Sequence, residues 1–298
     1  MQRLLDIPAP AKINLFLHVT GRRADGYHEL QSVFRLVNWA DTLHLEVRRD
    51  GRLSREDLRA ANDDSPALPE DDLCLRAARA LQAASGSPLG AHIVLDKRIP
   101  QQAGLGGGSS DAASTLMALN RLWGLEWPRD ALIRLGARLG ADVPFFLGGR
   151  NAWVEGIGDR LTPVDLPAAR YAIVKPPAGT ATAVIYQASD LERATPLAKM
   201  EAFVAGIAAD PVRPWGRNDL QPVAMRLCAD VAAALERLSR LGLQPRMTGS
   251  GSAVFAALSS EAEAAAVQSA DWPSGWQIRI CHGLPAHPLV EWQKGAIM

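Results

Sequence analysis

Ala103-Gly104-Leu105-Gly106-Gly107-Gly108-Ser109-Ser110-Asp111 decides how this 298-residue chain is read. Four of the five positions 104–108 are glycine, which removes the Cβ atoms that would hold a ligand away from the backbone. Ala112, Leu116, Leu119 and Trp123 follow at helical spacing, and Gly124 is placed to end that helix. Successive backbone N–H groups leading into the positive end of a helix make a site for phosphate oxygens. Ser109 or Ser110 can cap the helix or bond a phosphate; one hydroxyl cannot fully serve both. A flexible glycine-rich turn is the alternative, and the helix opening directly behind the segment favours phosphate binding. The common nucleotide loops do not fit. A Walker A loop needs Lys after its last Gly, where Ser109 stands. A protein-kinase loop needs a later lysine strand and an HRD segment, and neither occurs. A dinucleotide fingerprint wants Gly or Ala at position 109 and a strand tight against the loop.

Outward toward the N-terminus, His92 to Leu95 reads as a short strand before Pro100. Asp71 or Asp72 can cap a helix through Leu73, Ala77, Ala80 and Leu81 that stops near Gly86. Arg48 to Asp72, rich in charge, Pro and Asn, reads as an exposed excursion. Leu43, Leu45 and Val47 alternate with polar neighbours as in a strand. So do Ile13, Leu15, Leu17 and Val19, up to Gly21. Outward toward the C-terminus, Pro128 opens a helix carrying Leu132, Ile133, Leu135 and Leu139 and ending at Gly140. Ala141-Asp142-Val143-Pro144 then reads as a helix-to-strand turn before Phe145-Phe146-Leu147. Glycines and prolines between Gly148 and Pro167 suggest a boundary. The chain is accordingly divided into lobes 1–158 and 159–298. The second half mixes strands (Tyr171 to Val174, Ala253 to Leu258, Gln277 to Cys281) with helices (Pro196 to Ala208, Pro222 to Leu241, Glu261 to Ala270). Helices and strands interleave without strict βαβ repetition, so an α+β fold in two lobes is expected.

Composition narrows the partners. Lys plus Arg and Asp plus Glu each number 32, so the net charge is zero, and a general nucleic-acid binder usually carries a basic excess. Apolar residues make up 48% of the chain, enough to build cores and argue against disorder. Cys74, Cys228 and Cys281 form no CxxC pair and no metal spacing, which fits a reducing compartment. Met1 to Ala11 has no apolar leader core, and no run of about 18 apolar residues occurs. A cytoplasmic protein without membrane or nucleic-acid partners is expected, either a monomer or a weak dimer.

Four further segments offer chemistry, each with a plainer alternative. Lys12 and Asn14 are two apart on a strand and share a face, lining a cleft or merely facing solvent. Asp142 can accept a proton from a hydroxyl, or simply cap a helix or form a turn. Tyr27 can stack on a ring and His28 can read a polar edge, or both can sit on a surface loop. Arg246-Met247-Thr248-Gly249-Ser250-Gly251-Ser252-Ala253 is a second small, glycine-rich turn that offers donors or only reverses the chain.

The order of these segments is more specific than any one of them. PAKINLFL, ADGYHEL, AGLGGGSSDAA, LGADVPFF and RMTGSGSAVF follow one another from Pro8 to about Leu258, and this resembles the GHMP kinase superfamily. The resemblance is closest to members that act on a substrate carrying a cytidine diphosphate group. It implies two lobes with ATP and substrate in the cleft between them, and phosphoryl transfer from ATP, with Mg²⁺, to an alcohol. By this resemblance Gly104, Leu105, Gly106, Gly107, Gly108, Ser109 and Ser110 would wrap the ATP phosphates. Asp142 would be the catalytic carboxylate with Lys12 beside it. Asn14 would hold the substrate polyol, Tyr27 and His28 the cytosine, and Thr182 and Tyr186 would complete the contacts, with Thr180 an alternative register. Thr248, Gly249, Ser250 and Gly251 would close the cleft. The protein ligand of the metal is not implied. Two features depart from the pattern: Asp72 stands where relatives often have Asn, and Asp50 to Pro69 is a long insertion. Another GHMP small-molecule kinase and a non-catalytic nucleotide-binding regulator are the alternatives. The pairing of Lys12 with Asp142 counts against the second.

Overall fold

The computed structural model describes residues 2–58 and 67–292; the middle of the 50–69 insertion lies outside the described residues. The first part of the chain runs β1 (Arg3–Arg22), β2 (His28–Arg48), β3 (Leu53–Leu58), α1 (Leu73–Ser85), β4 (Gly90–Asp96), α2 (Gly107–Leu122), α3 (Arg129–Gly136), α4 (Val143–Gly148), β5 (Ala152–Glu155) and β6 (Arg160–Pro163). The rest runs β7 (Arg170–Lys175), α5 (Thr182–Gln187), α6 (Met200–Ala209), α7 (Gln221–Leu227), α8 (Ala229–Arg240), β8 (Arg246–Met247), β9 (Val254–Leu258), α9 (Glu261–Ser269) and β10 (Gln277–His282). The architecture is α+β. One sheet has the order β3-β4-β2-β5-β6 with β1 paired to β2; the other has the order β10-β7-β9-β8.

Three apolar clusters explain why the two sheets stay together. One packs α1, α2, α3 and α4 on the first sheet, through Leu81, Leu116, Leu119, Phe145 and Phe146. A second packs α7, α8 and α9 on the second sheet, through Val231, Leu235, Val254 and Val267. The third lies where the sheets meet and contains Ile13, Phe16, Val33, Tyr171, Ile173 and Phe255. β1 enters all three: Ala9 the first, Ile13 the third, and Leu17 and Val19 the second. The predicted alternation along this strand is interrupted by a register shift between Asn14 and Leu17, so Leu15, Phe16 and Leu17 are all buried. At its far end Leu17 N–H donates to Arg217 O, and Asp219 N–H donates back to Leu17 O. The N-terminal strand is thus the beam on which both lobes hang.

Several expectations hold. Asp72 caps α1, accepting from Leu75 N at 3.0 Å, and Gly86 ends it in the left-handed region. The strands expected around 92–95, 171–174 and 277–281 lie inside β4, β7 and β10, and the one expected from Ala253 to Leu258 begins one residue later, at Val254 of β9.

Others are corrected. The excursion from Arg48 contains β3, an edge strand parallel to β4. Its charges are paired, Arg55 with Asp57 and with Asp72 at 2.7 Å each, which is how a polar edge strand is kept. Phe145-Phe146-Leu147 belongs to α4 and not to a strand, with Pro144 in the first turn. The preceding helix α3 ends at Gly136, before Gly140, because α4 crosses there: a Cβ on Gly136 would lie 2.5 Å from Leu147 Cδ1. The helix expected from Pro222 to Leu241 breaks into α7 and α8 at Cys228, whose backbone is extended. The helix expected from Pro196 starts only at Met200. The stretch read as a boundary holds β5 and β6, and the first sheet continues to Pro163, past residue 158.

Candidate active site

Gly106 is the N-cap of α2, in the left-handed region and with no side-chain cap. Ser110 N–H makes the first intrahelical bond, to Gly106 O at 2.9 Å. The N–H groups of Gly107, Gly108 and Ser109 have no intrahelical acceptor, the ordinary condition of a first turn. A buried Ser110 turns its hydroxyl away to Pro10 O at 2.7 Å. With its N–H and Oγ both spent, Ser110 cannot serve a phosphate as the resemblance implied. Leu105 is also buried, and its carbonyl accepts from Lys12 N at 2.9 Å. What the loop offers a ligand is therefore the open backbone of residues 104–109 and the Ser109 hydroxyl.

The glycines are required by how closely the second turn approaches. Gly104 sits at φ +71°, and a Cβ there would lie 2.2 Å from Thr248 O. Ser252 N–H donates to Gln102 O and Ala253 N–H to Ala103 O, at 3.3 and 3.2 Å. Thr248 accepts the Asn14 N–H at 2.9 Å, and its hydroxyl faces Gly104 O at 3.3 Å. Asn218 Nδ2 holds the same turn through Met247 O and Gly249 O, at 2.8 and 2.9 Å. The turn at 248–251 is therefore stitched to the glycine loop and to β1.

Two cavities flank the glycine loop and share Gln102, Gly104 and Gly106. One, of about 450 Å³, is lined by Leu68, Asp72, Leu73, Arg76, Lys97 and the first turn of α2. The other, of about 540 Å³, is lined by Lys12, Asn14, Asp142, Thr182, Tyr186 and Gly249 to Gly251, among others. Asp142 is the only carboxylate among the described residues lining this second cavity.

Lys12 is nearly buried, its stem closed in by Gly106 and its ammonium 4.6 Å over the Phe34 ring. The ammonium donates to Asn14 Oδ1 at 2.7 Å and stands 3.6 Å from Asp142 Oδ2. Asn14 Nδ2 in turn donates to Ser32 Oγ at 2.9 Å. Asp142 precedes α4 and is 30% exposed, so one oxygen faces Lys12 while the carboxylate stays open to the cavity. Burial, and then the Asp142 charge, push the Tyr186 hydroxyl well above its ordinary value. It remains a protonated donor in the cavity.

The remaining predicted residues divide. Thr182 Oγ1 meets Ser250 Oγ at 2.7 Å, so that α5 touches the 248–251 turn. Thr180 lines the cavity as well as Thr182. His28 does not line it directly but packs on Tyr186, with ring centroids 5.0 Å apart. Tyr27 is 61% exposed and lies outside the lining of both cavities.

Two groups escaped the sequence reading. Lys97 is clamped between Asp41 and Asp111, and Asp41 also takes the Arg98 and Ile99 N–H groups. This fixes the strand end that leads into the glycine loop. Burial opposes the Lys97 charge, but Asp111 and Asp41 outweigh it and hold the proton more tightly than usual. These residues are too far apart in sequence to have given a local signal. Ser32 and Asn218, which support Asn14 and the 248–251 turn, are single polar residues in apolar surroundings. A small polar residue on the buried face of β2 was the only available hint.

This arrangement, a glycine-rich loop on a helix N-terminus closed by a second lobe over a lysine–carboxylate pair, defines a GHMP-type small-molecule kinase. The GHMP kinases N terminal domain matches residues 72–150, and the GHMP kinases C terminal domain matches residues 205–270. The 4-diphosphocytidyl-2-C-methyl-D-erythritol kinase of Variovorax paradoxus is 56% identical, over 98% of this chain and 99% of its own. That of Polaromonas naphthalenivorans is 57% identical, over 98% and 97%. A crystal structure of 4-(cytidine 5'-diphospho)-2C-methyl-D-erythritol kinase superposes with TM-score 0.76 at 36% identity, covering 94% of this chain and 99% of that one. Homoserine kinase from Cytophaga hutchinsonii, at 18% identity and TM-score 0.65, shares the fold. The chain belongs to the GHMP kinases and, within them, to the family of the 4-diphosphocytidyl-2-C-methyl-D-erythritol kinases.

Proposed function

We propose that this kinase transfers the γ-phosphoryl group of ATP to the 2-hydroxyl of 4-diphosphocytidyl-2-C-methyl-D-erythritol, a step of non-mevalonate isoprenoid synthesis. The observation that carries the reading is Lys12 and Asp142, 3.6 Å apart, beside a phosphate-ready helix N-terminus. The nucleotide belongs in the cavity of Lys97 and Arg76, with its phosphates against Gly104 to Ser109. The unbonded N–H groups of the first turn of α2 suit an anion, and the helix dipole contributes about 0.3–1 kcal/mol more. The alcohol belongs in the other cavity, where the loop between the two presents the γ-phosphate end.

Phosphoryl transfer passes through a loose transition state, so positioning and charge stabilisation carry most of the catalysis. Asn14, with its amide fixed by Lys12 and Ser32, orients the polyol. Asp142 accepts a hydrogen bond from the 2-hydroxyl, aims the oxygen and takes its proton late in the transfer. Lys12 offsets the charge that spreads over the transferring group. Tyr186, held protonated, donates to the substrate, and His28 beside it reads the cytosine, with Tyr27 closing from the exposed loop. Thr182 and the 248–251 turn close the cleft behind the substrate. Mg²⁺ bound with ATP would supply charge neutralisation at the phosphates.

ADP release from MgATP, measured with and without the cytidyl substrate, tests this reading. Release that requires the substrate, with a product heavier by one phosphoryl group, is expected. ATP binding with no substrate-dependent release would contradict it.

A further inference from the structure

The backbone of His28 is paired to Arg22 in the sheet, but its ring is held from elsewhere. Its Nε2 accepts from the Nε–H of Arg193, at 3.2 Å, an arginine 165 residues away in the loop after α5. Three further donors of the same guanidinium are used on that loop. Nη2 bonds Tyr186 O at 3.1 Å and Ala188 O at 2.5 Å, and Nη1 bonds Leu191 O at 3.1 Å. Tyr186 and Ala188 stand at the C-terminal end of α5, whose last carbonyls have no intrahelical partner. Arg193 satisfies them, so its position is fixed independently of His28.

A guanidinium has five N–H donors and no acceptor. A nitrogen that accepts from it carries no proton. The neutral imidazole then has its one hydrogen on Nδ1. Burial first, and then the charges of Arg193 and Arg22, hold His28 below its ordinary value, which keeps the ring neutral. Among the described residues none bonds Nδ1. The ring packs on Tyr186, itself part of the cavity lining, so the imidazole that carries the free Nδ1–H lies one side chain from the acceptor cavity.

We infer that Arg193 is a positioning residue that locks His28 in its Nδ1–H form, so that the His28 side chain recognises the substrate by donating to a ring nitrogen or carbonyl oxygen of the base. An exocyclic amine, which must donate, has no acceptor on a ring so held. The inference rests on the proposed cytidyl substrate only for the identity of the base; the tautomer is a property of the protein alone.

The test reads both on the full-length protein. Two-bond ¹H–¹⁵N correlation of the imidazoles at about pH 8, above the ordinary histidine range, is recorded without ligand for wild type and Arg193→Gln, with His28→Asn to assign the signal. Wild type is expected to show a protonated Nδ1 and a bare Nε2. In Arg193→Gln, whose amide can donate or accept, the Nε2–H form should appear. KM for the cytidyl substrate should rise roughly tenfold, about one hydrogen bond, with kcat and KM for ATP little changed; Tm should fall, because the carbonyls of Tyr186, Ala188 and Leu191 lose their donors. A wild-type His28 protonated on Nε2, or an Arg193→Gln protein with unchanged tautomer and KM, would overturn the inference. A wild-type protein that shows the Nδ1–H signal but does not turn over the cytidyl substrate would contradict the functional reading and leave the Arg193 assignment standing.

Discussion

Asn14 and Thr248 hold each other across the two lobes, although 234 residues separate them: the Asn14 N–H donates to Thr248 Oγ1 at 2.9 Å, and the threonine hydroxyl lies 3.4 Å from Asn14 Oδ1. The same hydroxyl faces the carbonyl of Gly104, so one side chain ties β1, the 248–251 turn and the glycine loop. Thr248→Val keeps the shape and removes the acceptor, leaving a buried N–H unpaired. A loss of about 1–3 kcal/mol is expected, read as a lower urea midpoint with unchanged slope. KM for both substrates should rise with it.

Gly104 and Gly124 provide a paired test of why the loop is glycine. Both are in the left-handed region, at φ +71° and +66°, but a Cβ on Gly124 would meet nothing within 4 Å. Gly124→Ala should cost only the conformational penalty, about 1–2 kcal/mol. Gly104→Ala must also push the 248–251 turn away, and should weaken ATP binding at least tenfold as well as lower Tm. Equal effects of the two changes on ATP affinity, measured by titration calorimetry, would show that the stitched loop does not matter to the nucleotide.

His287 gives a pH signature. It is buried near the C-terminal end of the described residues, its Nδ1 accepts from Leu289 N at 3.1 Å, and its Nε2 has no partner. Burial lowers its value to about 3. Between the ordinary value of about 6.5 and that lower one the unfolded chain binds a proton that the folded chain refuses. Stability therefore falls as pH falls through this window, by up to about 1.4 kcal/mol per pH unit from this one group. His287→Asn, which keeps an acceptor for Leu289, should show a shallower decline between about pH 6 and pH 4. Parallel curves for the two proteins would remove His287 as the cause.

How much could be read from the chain followed from whether the deciding contacts were local. The glycine loop, the Asp72 cap and the Gly86 stop were legible because each is determined within a few residues. α4 was misread because six residues of Val-Pro-Phe-Phe-Leu-Gly have no period that separates helix from strand, although Pro144 was the available sign. β3 was misread because Arg55, Glu56 and Asp57 look like solvent-facing charge until Asp72 is seen folded back onto Arg55. Ser110 shows the limit within a motif. The pattern places a hydroxyl beside the loop, and only the position of Pro10 decides where it points. The Lys97 clamp and the hold of Arg193 on His28 join residues from distant parts of the chain, and no spacing rule reaches them.

Lys12→Met isolates the ammonium. The methionine keeps apolar length over the Phe34 ring, so folding should survive, while Asn14 loses its donor and Asp142 its neighbour. Turnover should fall at least a hundredfold with ATP affinity reduced far less, as measured by steady-state kinetics beside nucleotide titration. A variant that loses ATP binding and keeps kcat would place Lys12 in ground-state binding instead.

The central claim is that Asp142 acts on the alcohol while the glycine loop holds ATP independently of it. Asp142→Asn keeps size and hydrogen bonding but removes the charge facing Lys12. Single-turnover phosphoryl transfer by rapid quench, with ATP affinity measured on the same preparation, reads both halves at once. The expected result is transfer slowed roughly a thousandfold, within the range for loss of a positioned acid–base group, with ATP affinity within about twofold of wild type. Transfer within tenfold of wild type would contradict the account.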